Sequence, residues 1–364
     1  MRWPVGRPSG YCPTYGKPPI LSRPRGRFRY NAASFFGLGI PVVKAQFETV
    51  TVVAPARLHM GFIDLSGGLG RHFGSIGLAV EEINTRLTLS AAETLTVVGP
   101  ETERAGRCLG QLCARLGVSD RLRLALETVI PEHIGLGSGT QMSLAVGAAL
   151  SRFYGLGLTV RDIALLSERG ARSGIGIGIF EKGGLVVDGG RGPETKTPPL
   201  IAQMPIPDHW RFILVFDQRG QGLHGEQEIS AFSRLPPFPQ ASAERLCYLL
   251  LMQGLPALVE QDLPRFGAVI TELQRAVGEH FAPVQGGIFT SPDVAAAMTM
   301  LEKAGAVAIG QTSWGPTGFC AVESPRRAAE LVQALESQFA QSPLSFLVAS
   351  ARNQPACLIS DELA

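Results

Sequence analysis

Several things are scarce in this chain of 364 residues, and each scarcity excludes a class. Charged residues make up only 18% and aromatics 7%, while glycine reaches 43 residues. Low charge with abundant glycine argues against a disordered or coiled-coil protein, and for a packed enzyme with several backbone-lined loops. No apolar run reaches the length of a membrane span, so no membrane partner is expected. The six cysteines (Cys12, Cys108, Cys113, Cys247, Cys320, Cys357) show no CxxC spacing. They read as scattered reduced thiols of a cytoplasmic protein.

Acidic residues are missing altogether from residues 1–46, which hold eight Lys and Arg. Subtracting those eight from 33 basic residues leaves 25 against 31 acidic ones, a body near −6. Such a body has no basic footprint for nucleic acid. The Arg/Pro/Gly-rich stretch 1–46 is expected to be a disordered extension; an organelle transit peptide is the other reading its composition permits.

What is present fits two domains, 47–207 and 208–364. Phe47–Pro55 reads as a strand followed by a polar loop. Ala105, Cys108, Leu109, Leu112, Cys113 and Leu116 share one helical face, stopped by Gly117. Leu122, Leu124 and Leu126 alternate as a half-buried strand. Thr159 and Asp162 form a capping-box-like start to a helix over 160–171. The Pro-rich stretch 193–208 reads as a boundary. Beyond it come a strand at 211–216, helical sequence over 226–280, and a helix opened by Ser291-Pro292. Strands at 306–312 and 317–323, a helix from Ser324-Pro325 and a last strand at 345–350 follow. This order is a ferredoxin-like split βαβ.

The most informative segment is Pro131-Glu132-His133-Ile134-Gly135-Leu136-Gly137-Ser138-Gly139-Thr140-Gln141. A strand ends, a glycine loop turns and a helix begins. Free N–H groups and the positive end of the helix dipole then face an anion, and phosphate or pyrophosphate is the natural guest.

The pattern P-x-x-x-G-L-G-S resembles the phosphate loop of the GHMP superfamily, which includes galactokinase, homoserine kinase, mevalonate kinase and phosphomevalonate kinase. APARLHMGFID (54–64) resembles that superfamily's N-terminal motif and GQTSWGPTGF (310–319) its C-terminal glycine-rich motif. The resemblance implies an α+β fold of two domains. The N-terminal one is like ribosomal protein S5 domain 2 and carries the phosphate loop; the C-terminal one is ferredoxin-like. Two departures argue against an ordinary kinase. The second Ser of the kinase pattern is Gly139, and an Asp expected two residues after Ser173-Gly174 is Gly176. Both would help to place metal or nucleophile for phosphoryl transfer.

Within the superfamily, residues 57–81, 130–147 and 169–190 are most similar to the β-ribofuranosylaminobenzene 5′-phosphate synthase family. That resemblance implies a condensation of 4-aminobenzoate, or an analogue such as 4-hydroxybenzoate, with phosphoribosyl pyrophosphate. Carbon dioxide and pyrophosphate leave, on the way to tetrahydromethanopterin. It further implies Mg2+ and a homodimer. The loop Gly135, Leu136, Gly137, Ser138, Gly139, Thr140 and Gln141 would bind phosphate, with Arg71 and Lys182. Arg57, Arg169 and Arg172 are further cations suited to phosphate or carboxylate. Asp64, Glu181 and Asp188 are candidates to stabilise positive charge at the anomeric carbon. His59 or His72 would move a proton or bind leaving pyrophosphate. His133 reads as a structural partner, and His224 and Glu226 would close the site from the second half. An ATP-dependent small-molecule kinase and a non-catalytic ligand-binding protein are the competing readings.

Overall fold

The computed structural model describes residues 44–220 and 234–362. Most of the expected extension 1–46, together with His224 and Glu226, lies outside these residues. The first sheet is built on a long hairpin of β1 (Phe47–Asp64) and β2 (Phe73–Ala91). Val50, Val52, Ala54, Ala56 and Leu58 alternate along β1 and are fully buried, which fixes one face of the strand to the core. No polar loop follows Pro55. β2 pairs with β1 almost throughout, and irregularities at Pro55/Ala56 and His59/Gly61 absorb the missing proline N–H and the change of register.

β3 (Thr96–Val98), β4 (Leu122–Thr128), β5 (Leu185–Asp188) and β6 (Leu200–Met204) complete most of this sheet. Its order is β11-β1-β2-β4-β3, with β5 joining β2 and β6 joining β5. The stretch 193–208 therefore contains a strand. Helices α1 (Thr102–Leu116), α2 (Ser138–Phe153), α3 (Val160–Leu166) and α4 (Ile175–Lys182) belong to this half. Both legs of the Thr159–Asp162 capping box are present. α3 stops at Leu166, earlier than the expected 171, and leaves 167–174 as a turn carrying Arg169 and Arg172.

The second sheet has the order β10-β7-β9-β8, from β7 (Arg211–Asp217), β8 (Val307–Gln311), β9 (Thr317–Val322) and β10 (Leu344–Ala349). This is the split βαβ arrangement. The described part of the helical stretch comprises α5 (Gln240–Leu249), a π-helical turn Leu250–Gly254, α6 (Leu255–Val259) and α7 (Leu263–Gln285). α8 (Pro292–Lys303) and α9 (Pro325–Gln338) each start on a serine cap followed by proline. They cover the sheet through a core that includes Ile213, Val294, Met298, Leu301, Cys320 and Leu331. The chain does not stay in this half to its end. β11 (Cys357–Glu362) returns to pair with β1, so residues expected in the C-terminal domain extend the first sheet. Gln274 of α7 ties the halves together. Its Nε2 donates to the Met60 carbonyl at 2.6 Å and its Oε1 accepts from Gln311 N at 2.9 Å. Among the described residues no helix is long and apolar enough to cross a membrane.

Candidate active site

The glycine loop is gripped from behind by both halves of the protein. Thr312 donates its hydroxyl to the Gly135 carbonyl at 2.8 Å, and Arg57 Nη1 donates to the same oxygen at 3.0 Å. The Arg57 amide donates to the Leu136 carbonyl at 3.1 Å, and Thr317 Oγ donates to the Ile134 carbonyl at 2.8 Å. Gly135 has φ 82°, and a Cβ there would sit 2.2 Å from the Thr312 carbonyl oxygen. Only glycine meets both demands. With its carbonyls held from behind, the loop leads into α2, whose first intrahelical bond is Gln141 N to Gly137 O at 3.0 Å. By helix geometry the amides of Ser138, Gly139 and Thr140 precede that ladder and are available to an anion.

Cations flank this cradle. Arg104 of α1 pairs with Glu132 and donates to Ser138 Oγ at 3.2 Å. Arg169 Nε donates to Ser143 Oγ at 3.3 Å, and a Cβ on Gly139 would lie 3.6 Å from Arg169 Nη1. A cavity of about 250 Å³ opens here, lined by Arg104, Arg107, Arg115, Arg169, Gly139 and Ser143 among others. Arg107 and Arg115 are each matched by a carboxylate, Glu103 and Glu168. Arg169 has no carboxylate partner among the described residues, so its charge is available to an incoming anion.

The other expected residues divide into groups. Gln141 is fully buried and donates Nε2 to the Gly176 carbonyl at 2.8 Å, so it joins α2 to α4. Asp64 caps the turn after β1, accepting from Ser66 N at 2.8 Å and Ser66 Oγ at 2.7 Å. At the strand rise, seven residues put it roughly 20 Å along β1 from Arg57. Arg71 holds the Gly189 and Gly190 carbonyls, both at 2.9 Å. Exposed His72 bridges to Arg191. Asp188 is fully buried and accepts from Ser75 Oγ, from Gly174 N at 2.9 Å, from Gly190 N at 2.8 Å and from Ser173 Oγ at 3.4 Å. Burial pushes its carboxyl up, and these four donors oppose the shift. It anchors the Ser173-Gly174 turn and has no face toward a ligand. Half-buried Arg172 stands beside that turn. Glu181 and Lys182 close the last turn of α4. Five to six residues of helical rise, about 8–9 Å, separate them from the Gly176–Thr140 contact. Glu181 faces Arg161 at 3.7 Å, and Lys182 is exposed. His133 lies 3.9 Å from Glu132.

His59 is only 2% exposed, and its Nε2 has no hydrogen-bond partner. Burial, and secondly the Arg57 charge, lower its pKa to about 3. It is therefore a neutral imidazole near neutral pH. An unmet buried polar atom of this kind costs about 1–3 kcal/mol.

The two departures from the kinase pattern differ physically. A Cβ on Gly139 meets Arg169 only at ordinary contact distance, whereas one on Gly176 would lie 2.8 Å from Thr140 Cγ2. Gly176 is where α4 packs on α2, and a carboxylate there has no room. Among the described residues there is also no group of three or more His, Cys, Asp or Glu placed to hold a metal.

Sequence reasoning did not single out Arg104, and named Glu132 only as part of the loop segment. On α1, Arg104 occupies the polar face, where a site arginine reads like any solvated one. Thr312 was visible only inside its motif; nothing local marks its hydroxyl as the clasp on Gly135.

The fold and the gripped glycine loop define a GHMP kinase-fold protein. The GHMP kinases N terminal domain model matches residues 103–183 and the GHMP kinases C terminal model matches 255–341. Among solved structures, L. major mevalonate kinase superposes with a TM-score of 0.63 at 15% identity, covering 86% of this chain and 99% of that one. Mevalonate diphosphate decarboxylase from Staphylococcus aureus gives 0.60 at 16% identity, covering 86% and 98%. Sequence relatives narrow this to one branch. Beta-ribofuranosylphenol 5′-phosphate synthase of Archaeoglobus fulgidus is 34% identical over 324 residues, 82% of this chain and 96% of the relative. The relative of the same name from Methanocaldococcus jannaschii is 33% identical, over 61% of this chain and 76% of the relative. The chain belongs to the beta-ribofuranosylphenol 5′-phosphate synthase family.

Proposed function

We propose that this protein joins the anomeric carbon of phosphoribosyl pyrophosphate to the carboxylate-bearing ring carbon of 4-hydroxybenzoate, with loss of pyrophosphate and carbon dioxide. The relatives are named for a phenol product, which favours 4-hydroxybenzoate over 4-aminobenzoate as acceptor. The observation that carries the reading is the anion cradle at 135–141 between Arg104 and Arg169, combined with Gly176 where a kinase would need a carboxylate. Amides and guanidinium groups suit the donor's phosphates and the charge that builds on departing pyrophosphate. Magnesium enters as part of the substrate, as the counter-ion of the donor's pyrophosphate. Of the carboxylates expected near the anomeric carbon, none is retained in this reading: Asp64 caps the turn after β1, Asp188 anchors the Ser173-Gly174 turn and Glu181 faces Arg161. A cytoplasmic homodimer and supply of tetrahydromethanopterin synthesis belong to the same proposal.

The test is turnover with carboxyl-labelled 4-hydroxybenzoate, phosphoribosyl pyrophosphate and a magnesium salt, beside a parallel reaction holding ATP and candidate alcohols. Labelled carbon dioxide in step with pyrophosphate is expected. ATP cleavage without carbon dioxide would return the chain to the kinases.

A further inference from the structure

His59 presents a polar atom that the fold leaves unmet. It lies on β1, two residues beyond Arg57, and its amide donates at 2.9 Å to the same Thr312 hydroxyl that holds Gly135. The His59 backbone is thus joined through Thr312 to the back of the phosphate loop. It packs edge-on to Phe62 at 4.8 Å, and the adjoining Phe281 and Trp314 rings lie 4.3 Å apart. These four rings, with Gln274 and Gln285, border a small cavity of about 20 Å³. That is room for one hydroxyl or one water, not for a ring.

The protonation state follows from the surroundings. The imidazole is neutral, and its own main chain is the one influence that favours a ring proton. Nε2 has no partner; with the one ring proton placed on Nδ1, Nε2 keeps its lone pair. Nε2 is therefore a buried acceptor without a donor, in a ring that borders the aromatic cavity.

We propose that His59 Nε2 accepts a hydrogen bond from the para hydroxyl of the aromatic acceptor, with that hydroxyl alone inserted between Phe62, Phe281 and Trp314. This rests on the synthase reading above and deepens it. In that reaction the ring carbon–anomeric carbon bond forms as the anomeric carbon–pyrophosphate bond breaks. The ring–carboxylate bond then breaks, carbon dioxide leaves, and the electron pair of that bond restores aromaticity. No proton is gained or lost overall. During attack, positive charge spreads through the ring onto the para oxygen and strengthens its O–H as a donor. An acceptor fixed there holds the transition state more tightly than the ground state. A para amino group would bring two N–H donors to one lone pair and leave one of them buried and unmet. Hence the slot prefers the phenol.

The experiment compares wild type with His59→Phe and His59→Gln. Inhibition constants are measured for two non-reacting ring analogues, one with a para hydroxyl and one with a para methyl, and donor affinity is measured by calorimetry. In the wild type the hydroxyl analogue should bind at least about 10-fold more tightly than the methyl one. In His59→Phe that preference should vanish and kcat/KM for 4-hydroxybenzoate fall about 100-fold, with donor affinity within about 2-fold of wild type. His59→Gln, which restores an acceptor oxygen, should recover part of both; it also supplies the readout if the phenylalanine variant does not fold. With the wild type active, an unchanged hydroxyl preference in His59→Phe, or one no higher in His59→Gln than in His59→Phe, overturns this proposal alone. A wild type that releases neither carbon dioxide nor pyrophosphate overturns the synthase reading and this proposal with it.

Discussion

Thr312 and Gly135 are 177 positions apart in the chain, yet the threonine hydroxyl holds the glycine carbonyl at 2.8 Å. This single bond joins the C-terminal sheet's edge to the phosphate loop, and the same hydroxyl accepts from the His59 amide. Thr312→Val therefore strands the buried His59 amide and leaves the Gly135 carbonyl to Arg57 alone. Thermal or denaturant unfolding should show a loss of about 1–3 kcal/mol, and donor KM should rise. Thr312→Ser, which keeps the hydroxyl, should lose less than half as much.

The cations beside the cradle are expected to act on the donor. Arg169→Ala and Arg104→Ala should each raise donor KM about 10- to 100-fold, from a charged hydrogen bond of about 1.5–3 kcal/mol. Acceptor KM should move much less. Equal effects on both substrates in steady-state kinetics would place these arginines elsewhere in the mechanism.

The two glycines that replace kinase residues should respond differently. Gly139→Ser adds a Cβ at ordinary contact distance from Arg169, and should shift stability by no more than about 0.5 kcal/mol. Gly176→Asp forces an atom to 2.8 Å from Thr140 Cγ2 and buries a charge. It should cost about 3 kcal/mol or more. Neither variant, nor the pair, should transfer phosphate from ATP in a coupled assay.

His59 makes stability depend on pH in a defined direction. Its folded pKa of about 3 lies below the ordinary 6.5, so between those values the unfolded chain binds a proton that the folded chain refuses. The stabilisation is complete above pH 6.5 and is lost as pH falls toward 3, at up to about 1.4 kcal/mol per pH unit. Buried Asp188 and surface Glu82, whose carboxyl pKa values are raised chiefly by desolvation, slope the other way over part of that range. The informative quantity is therefore the difference between wild type and His59→Phe. Wild type should lose stability relative to His59→Phe steadily as the pH of the unfolding experiment is lowered.

Glu181→Ala and Lys182→Ala should leave both KM values and kcat within about 2-fold. Glu181's contact is an ion pair with Arg161 of a kind usually worth about 1 kcal/mol or less. A large loss of turnover in either would mean that α4 delivers its far end to the substrate.

The second sheet's strands and parts of the first were legible because β4 and α1 carry clear periodicities and Thr159, Ser291 and Ser324 carry clear caps; β5 and β6, the latter inside a Pro-rich stretch read as a boundary, were not. The phosphate loop was legible because its glycines have no other use. The continuation of β1 past Pro55 was not, because a single polar stretch looks the same in a loop and on the buried side of a bulged strand. Nor was β11, whose only reason to be a strand is the β1 edge it finds. At the site, residue type was a poor guide to role. Asp188 and Glu181 are carboxylates in a matching segment, but four donors close around one and an arginine faces the other. Burial and donor count, which separate an anchoring carboxylate from a reactive one, are properties of neighbours distant in sequence.

The return of β11 to β1 has a bearing on how the protein is made. Six residue pairs between Phe47 and Val53 on one strand and Cys357 and Glu362 on the other complete that edge. β1 leaves the ribosome roughly 300 residues before its partner, a delay of about 15–60 s at ordinary elongation rates. Throughout that interval a long strand offers unpaired N–H and C=O groups to any neighbouring nascent chain. A holding chaperone should therefore matter more to the yield of this protein than to its final stability.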